Sequence, residues 1–505
     1  MMKRRMALAA RARFSGRLRA VSKAAAVFAG IYWLAVPVQA TNDGEWLGIN
    51  HPYGNDSRDL NAGYPYTSFV ADLGDVGVKM TRQGLASNDF SDGLVGHYQA
   101  HGIAIHNVLG IPGSPLVSAA DFKAKCIEKM TRYKGKVSYY IVGNEPDLVA
   151  TIGPNGKRLK ADPQMAVDYT RAAFEASREV DPIGGIKVES APVSAPEAPY
   201  LQKMINLGVA DVCDYIGVHV YSNQINDGRL GKPWEFLQQH GGTRKPIAAS
   251  ECGMPTNYAP KGLTEAQKFA WQAEWLDLAY VQFKRYGYSN LILFESSSLA
   301  SSKTVAYDFL RGGAKPPATP EIIRATYDEI RGHLNQSDPA DLKTCNFDFE
   351  NPEPSGLEYK HGWVVYHKCG EAVWDASKVD VQSKDGPHAG TRCLRFDTSA
   401  GEAQIDKSAA GRLIVRRVVK ATPNRALTVT AWVYAHNGGA SRLKALGFNA
   451  TNGLDEAAAS TVIQNEWKQL EVTCNPSNPW VVIELSADAD GVAESYVKFD
   501  DVEIK

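Results

Sequence analysis

Residues Val137–Asp147 read VSYYIVGNEPD, and the fold of the first part of the chain turns on them. Val137, Tyr139, Tyr140, Ile141 and Val142 form an apolar, β-favouring run of the length of one buried strand. The run stops at Gly143, and Asn144-Glu145-Pro146-Asp147 follow. A carboxylate at the tip of a buried strand is costly to desolvate unless it faces a cleft or a partner. Pro146 has no N–H and disfavours helical backbone in the residue before it, so an extended Glu145 at the strand tip is expected. Barrel enzymes carry their catalytic groups at such a place.

Seven other strand candidates surround this one. Glu45–Asn50, Val78–Arg82 and Ile103–Val108 precede it, and Ile186–Glu189, Tyr215–Val220, Pro246–Ser250 and Leu291–Phe294 follow. Helical patterns fit between several of them. Ser118 can cap a helix through Tyr133, Asp162-Pro163 opens one over Gln164–Glu179, and Thr264–Gln267 is a capping box before a helix ending at Gly287. Eight strands alternating with helices, spaced about 35 residues apart, predict an α/β fold of the (β/α)8 TIM-barrel kind. An open doubly wound sheet would want a glycine-rich turn after the first strand, and Asn50-His51-Pro52-Tyr53 is not one.

Beyond a final helix at Pro320–Leu334 the character changes. Residues 335–343 are polar and read as a linker. Residues 345–505 show period-2 runs, among them Thr391–Phe396, Leu427–Tyr434, Trp467–Thr473, Trp480–Leu485 and Tyr496–Ile504. They predict an all-β, jelly-roll or β-sandwich domain. The barrel is assigned to residues 44–334.

Composition agrees with folded domains and excludes some functions. The chain has 505 residues, is 44% hydrophobic and 22% charged, and carries a net charge of −1. That balance gives no global attraction to nucleic acid. Residues 1–40 read as a secretory signal: a basic region from Lys3 to Lys23, an apolar stretch Ala24–Val38, and the cleavage pattern Val38-Gln39-Ala40. An uncleaved anchor is the alternative. A secreted or periplasmic protein is expected, with no stable membrane insertion after cleavage. Of the seven cysteines, Cys345, Cys369, Cys393 and Cys474 lie in the last part, where two disulfides in any of three pairings are open.

A second acid answers the first. Ser250-Glu251-Cys252-Gly253 ends the seventh strand, three βα units after Glu145, so both carboxylates belong on one rim of the barrel. Cleavage of a glycosidic bond needs such a pair, one protonated and one ionised. Separations of ~5–5.5 Å serve retention of configuration and ~6.5–9.5 Å inversion. Arg82 ends the second strand and can pair with an ionised Glu251. His219 and Tyr221 end the sixth and can donate to it, and Asn144 can hold a sugar hydroxyl. His51, Tyr53, Asn107 and Glu295 also fall at strand ends and are candidate substrate contacts. Trp271 and Trp275, at i and i+4 of one helix, read as packing, and Cys252 as a small buried residue.

Asn144-Glu145-Pro146 after strand four, His219-Val220-Tyr221 at strand six and Glu251 after strand seven resemble the clan A glycoside hydrolases. Gly143–Asp147 and the overall length are most similar to glycoside hydrolase family 39 and its exopolysaccharide-cleaving relatives. The resemblance covers about residues 44–334. It implies a retaining β-glycosidase with Glu145 as acid/base and Glu251 as nucleophile, supported by Arg82, Asn144, His219 and Tyr221. It implies no cofactor for catalysis and a polysaccharide as partner, either a bacterial exopolysaccharide or a plant wall glycan. Where many clan members have Trp at strand eight, this chain has Phe294-Glu295.

The end of the chain resembles carbohydrate-binding modules of the family 4 and 9 type. Asn346–Glu350, Gly362-Trp363 and Phe499–Ile504 carry that likeness. It implies a structural calcium with Glu350 and Asp500 as candidate ligands. Among the domain's tryptophans, Trp363 and Trp374 are the expected exposed stacking faces and the others are expected in the core. A glycan-binding or biofilm-matrix protein with an inactive barrel is the competing function.

Overall fold

The computed structural model describes residues 47–50, 70–71, 73–74, 78–110, 117–148, 150–152, 158–160, 162–221, 225, 227–241, 245–254, 275, 278–294, 364–367, 379–382, 386–399, 412–437, 440–447, 455–462, 465–477, 480–488 and 492–505. The proposed leader, the linker, Trp271, the capping box at Thr264 and the helix Pro320–Leu334 lie outside them.

All eight expected barrel strands form. They are β1 (Leu47–Asn50), β2 (Met80–Gln83), β3 (Ala104–Leu109) and β4 (Tyr139–Val142). A short antiparallel hairpin, β5 (Ala150–Ile152) and β6 (Arg158–Lys160), projects after β4. The barrel resumes with β7 (Lys187–Glu189), β8 (Ile216–Tyr221), β9 (Ile247–Gly253) and β10 (Leu291–Leu293). The parallel sheet runs β7-β4-β3-β2-β1-β10-β9-β8, and bridges Glu189 to Tyr215 and Val193 to Val218 close it into a ring. These strands are apolar and mostly buried on both faces, as a sheet wrapped in helices requires.

The helices begin where local chemistry caps them. Asn88 accepts from Ser91 N at the head of Asp89–Ala100, Ser118 from Asp121 N before Ala119–Arg132, and Asp162 from Gln164 N before Pro163–Val180. Each cap satisfies a backbone donor the helix itself leaves open. Trp275 is fully buried, as its helical spacing implied. No helix among the described residues is long and apolar enough to cross a membrane.

The C-terminal part is two five-stranded antiparallel sheets. One sheet orders β11 (Val364–His367), β14 (Arg412–Lys420), β19 (Trp480–Asp488), β16 (Ser441–Gly447) and β17 (Asp455–Thr461). The other orders β12 (Val379–Gln382), β13 (Cys393–Asp397), β20 (Tyr496–Ile504), β15 (Leu427–His436) and β18 (Trp467–Cys474). Phe396, Val429, Val433, Leu443, Ile483, Leu485 and Phe499 fill the space between them. The outer face of the first sheet packs on the barrel: Ile414, Val418, Leu446 and Val482 belong to the barrel's own buried cluster. Buried Arg285 donates Nε–H to the Gly447 carbonyl at 3.1 Å, across the same contact.

Candidate active site

Glu145 follows β4 in a backbone the sequence did not foretell. Its φ is +41°, left-handed, where Pro146 argued for an extended residue. That expectation is corrected: a non-glycine residue there costs about 1–3 kcal/mol and persists only when its surroundings over-determine it. They do. Glu145 N–H donates to the Pro192 carbonyl at 3.0 Å, and Leu148 N–H returns a bond to the Glu145 carbonyl at 3.0 Å. Buried Asp147 accepts from Ser194 N at 3.1 Å and from Ser194 Oγ at 2.5 Å, tying the turn to the segment after β7. The Glu145 side chain is left half-buried, with access to solvent.

Glu251 reaches the same place by a different device. Between Ala249 and Cys252, β9 spends three steps where β10 spends two, and between Ala249 and Glu251 it spends two where β8 spends one. The extra residue is a β-bulge at Ser250, which breaks strict alternation and re-aims the side chains after it. Glu251 therefore turns into the barrel mouth. Arg82, at the end of β2, donates Nη1–H to Glu251 Oε1 and Nη2–H to Asn144 Oδ1. Tyr221 donates its hydroxyl to Glu251 Oε2. His219, fully buried on β8, sets Nδ1 2.8 Å from Glu145 Oε1 and 3.3 Å from Glu251 Oε2.

The electrostatics follow from these contacts. Burial alone would push the Glu251 carboxyl up. The neighbouring His219 and Arg82 charges and the Tyr221 and Arg82 hydrogen bonds outweigh it and hold Glu251 below the usual carboxylate range. Beneath the pair, Glu189 at the end of β7 is fully buried, and desolvation pushes it up to about 7 against the Ser250 and Tyr139 hydroxyls and the Arg82 and His219 charges. Its Oε2 accepts from Tyr139 Oη at 3.0 Å. Tyr139 stacks on His106, centroids 3.9 Å apart, and burial drops His106 to about 3, leaving that ring neutral. Oxygen and nitrogen atoms of Glu145, His219 and Glu251 lie within 4.8 Å of one another, a spacing a divalent ion could bridge. The guanidinium already bonded to Glu251 opposes a cation there, and all three groups have protein partners.

The structure thus brings together six residues expected from the sequence: Arg82, Asn144, Glu145, His219, Tyr221 and Glu251. It does not bring Asn107 to the cleft. Asn107 is buried, and its Oδ1 accepts from Leu85 N at 3.0 Å, a structural role in the barrel wall. His51, Tyr53 and Glu295 lie outside the described residues, as do Glu350, Trp363 and Trp374. Cys252 is buried with its thiol pushed far up by desolvation, so it is inert; Cys126 and Cys213 are likewise free and buried.

Both carboxylate oxygens of Asp500 accept backbone hydrogen bonds. Its Oδ2 accepts from the backbone N–H of His388 at 2.8 Å and of Ala389 at 3.3 Å, and its Oδ1 from Asp501 N at 2.9 Å. Glu189 and the bulge were missed from sequence, as was an aromatic surface on the second sheet. Trp432, Tyr434 and His436 alternate along β15 beside Trp467 and Tyr496, half-buried rather than in the core. His388 stacks on Trp432 at 3.9 Å. The i, i+2, i+4 spacing of the β15 residues was the available signal.

No family model matches the chain, and no curated protein does. Solved structures resemble it slightly. A fungal β-1,4-galactanase shares 13% identity over 56% of this chain and 99% of its own, with a TM-score of 0.41. A monomeric β-xylosidase from Caulobacter crescentus CB15 shares 11% over 88% and 95%, with a TM-score of 0.41. TmCBM61, solved with β-1,4-galactotriose, shares 17% over 32% and 94%, with a TM-score of 0.23. Identities and scores this low leave the activity to be argued from the chain's own geometry.

Proposed function

We propose that the protein is a secreted, retaining β-glycosidase that cleaves inside a polysaccharide chain, of the clan A type and nearest to glycoside hydrolase family 39. One observation carries the reading: oxygens of Glu145 and Glu251 lie within 4.8 Å of each other at the C-terminal mouth of a parallel barrel. That spacing favours direct attack on the sugar over the wider gap that admits a water between carboxylates.

In this mechanism Glu145, solvent-accessible and beside the cleft, gives its proton to the glycosidic oxygen. The bond from that oxygen to the anomeric carbon breaks, and Glu251 forms an ester to the same carbon. Glu145 then takes a proton from water, the water oxygen attacks the anomeric carbon, and the ester breaks to free Glu251. Arg82 and Tyr221 hold each Glu251 oxygen by a charged or hydroxyl donor, which keeps the nucleophile ionised and fixes its angle. No cofactor enters these steps. The sandwich serves to hold the polysaccharide, with Trp432, Tyr434, Trp467 and Tyr496 as its stacking faces.

The test is a panel of bacterial exopolysaccharides and plant wall glycans, with the anomer of each new reducing end read by NMR as it forms. Retained configuration is expected, with cleavage abolished and binding kept in Glu251→Gln. Binding without cleavage by the unmutated protein on every glycan would instead mark a matrix-binding protein with an inert barrel.

A further inference from the structure

Glu189 is a fully buried carboxylate in the barrel that the proposed reaction does not use. It is an expensive residue to place there. Room is made for it on the neighbouring strand: a Cβ on Gly217 would lie 2.5 Å from Glu189 Oε1 and 2.8 Å from the Ser190 carbonyl. Oε2 is held by Tyr139. Oε1 makes no hydrogen bond of ordinary geometry among the described residues, although the Ser250 hydroxyl is near enough to favour the ionised form.

A second buried atom is in the same condition. His219 Nε2 has no partner among the described residues, while Nδ1 faces the two catalytic carboxylates. Gly217 and His219 lie two residues apart on β8, whose own path is regular because the bulge belongs to β9. They therefore point to the same face, and His219 sits one layer nearer the rim than the space Glu189 fills. Buried polar atoms are rarely left unpaired, and small polar gaps between them hold water.

We propose that Glu189 is a positioning residue: its Oε1 accepts the Nε2 proton of His219 across one buried water. The consequence concerns the other ring nitrogen. With Nε2 permanently protonated, the proton that His219 gains and loses is confined to Nδ1, between Glu145 Oε1 and Glu251 Oε2. Glu145, His219 and Glu251 then form one cluster in which a proton leaves or returns to Glu145 without displacing the ring. The groups facing Glu189 are Tyr139 from β4, Arg82 from β2, Ser250 from β9, His219 from β8, and Tyr215 and Cys213 just before β8. Three of them carry a buried donor with no partner among the described residues, Arg82 Nε, Ser250 Oγ and His219 Nε2, and of these His219 is the one whose other ring nitrogen faces both catalytic carboxylates.

The inference rests on the hydrolase reading for its catalytic meaning, but its test does not need activity. The full-length protein labelled with ¹⁵N-histidine is titrated by NMR on the alkaline side of the Glu189 titration, with the His219 signals assigned by His219→Asn. The nitrogen shifts report which ring nitrogen loses its proton. In the unmutated protein Nδ1 is expected to lose it and Nε2 to keep it. In Glu189→Gln the Tyr139 hydroxyl holds the amide oxygen, the NH2 faces the ring, and Nε2 is expected to lose the proton instead. Loss from Nε2 in the unmutated protein overturns the proposal even if the variant fails to fold, and so does the same ring form in both proteins. On any glycan the enzyme cleaves, Glu189→Gln is expected to lower kcat roughly tenfold or more with KM little changed. Absence of cleavage with the expected ring form would defeat the hydrolase reading and leave the positioning role intact.

Discussion

Replacing Arg82 with Met removes the guanidinium bonded to Glu251 while keeping an unbranched side chain in the wall of the barrel. Arg82 and Glu251 are both nearly inaccessible, with side-chain exposures of 7% and 8%, so water cannot substitute for the lost guanidinium. A hydrogen bond to a charged group is worth about 1.5–3 kcal/mol. At about 1.4 kcal/mol per pH unit, its loss raises the Glu251 titration by about 1–2 units. Burial, now less opposed, pushes in the same direction. The acid limb of kcat/KM, which reports ionisation of the nucleophile in the free enzyme, moves up in pH by that amount. Stability has the matching sign. A carboxyl held low in the folded state stabilises the protein above the ordinary carboxylate range, and that contribution is lost as pH falls through the folded value. In Arg82→Met it is reduced at every pH above that point. The assay is a pH–rate profile on an aryl glycoside with both proteins shown folded by near-UV circular dichroism. An acid limb that stays in place would refute the claim that Arg82 keeps Glu251 ionised.

Tyr221→Phe removes one hydrogen bond to an ionised oxygen, and kcat should fall about 10- to 150-fold with KM within a few-fold of the parent; a KM effect alone would argue for a substrate contact. Gly217→Ala forces a methyl against Glu189 and the Ser190 carbonyl, so the urea midpoint should drop by the equivalent of about 1–3 kcal/mol. Asp147→Ala removes the hydrogen bonds to Ser194 and loosens the left-handed turn; stability should fall by about 1–3 kcal/mol and kcat with it, read by chemical denaturation beside steady-state rates. Asp500 is pushed up to about 7 by burial and by the Asp501 charge. Its folded value exceeds the unfolded one, so it favours folding more as pH falls from about 7 toward the ordinary carboxylate range, and the thermal midpoint should lose part of that dependence in Asp500→Asn.

The barrel could be read in the chain because its strands are short apolar runs bounded by turn residues, and a closed parallel sheet needs little else from local sequence. The positions of Glu145 and Glu251 followed from counting those runs. Their orientations did not. The Ser250 bulge exists only relative to the registers of β8 and β10, which no single strand encodes. The left-handed Glu145 went against the local rule for a residue before proline, and is held by Pro192 and by the Asp147–Ser194 bonds, all remote in sequence. Glu189 was passed over because Lys187–Glu189 is three residues long and the glycine that admits its side chain lies on another strand. Asn107 sits where a rim residue would, but a backbone donor at Leu85 claims its side chain. In the sandwich Trp432 of β15 was expected in the core but is half-buried, because nothing local tells one face of a strand from the other.

The most direct measurement is mass spectrometry of the intact protein after incubation with 2-deoxy-2-fluoro glycosyl fluorides of whichever sugars it releases, followed by peptide mapping. One sugar attached per chain, on the peptide containing Glu251, is the result this account requires. Turnover of the parent glycan with no adduct on Glu251, or an adduct on another residue, would contradict it.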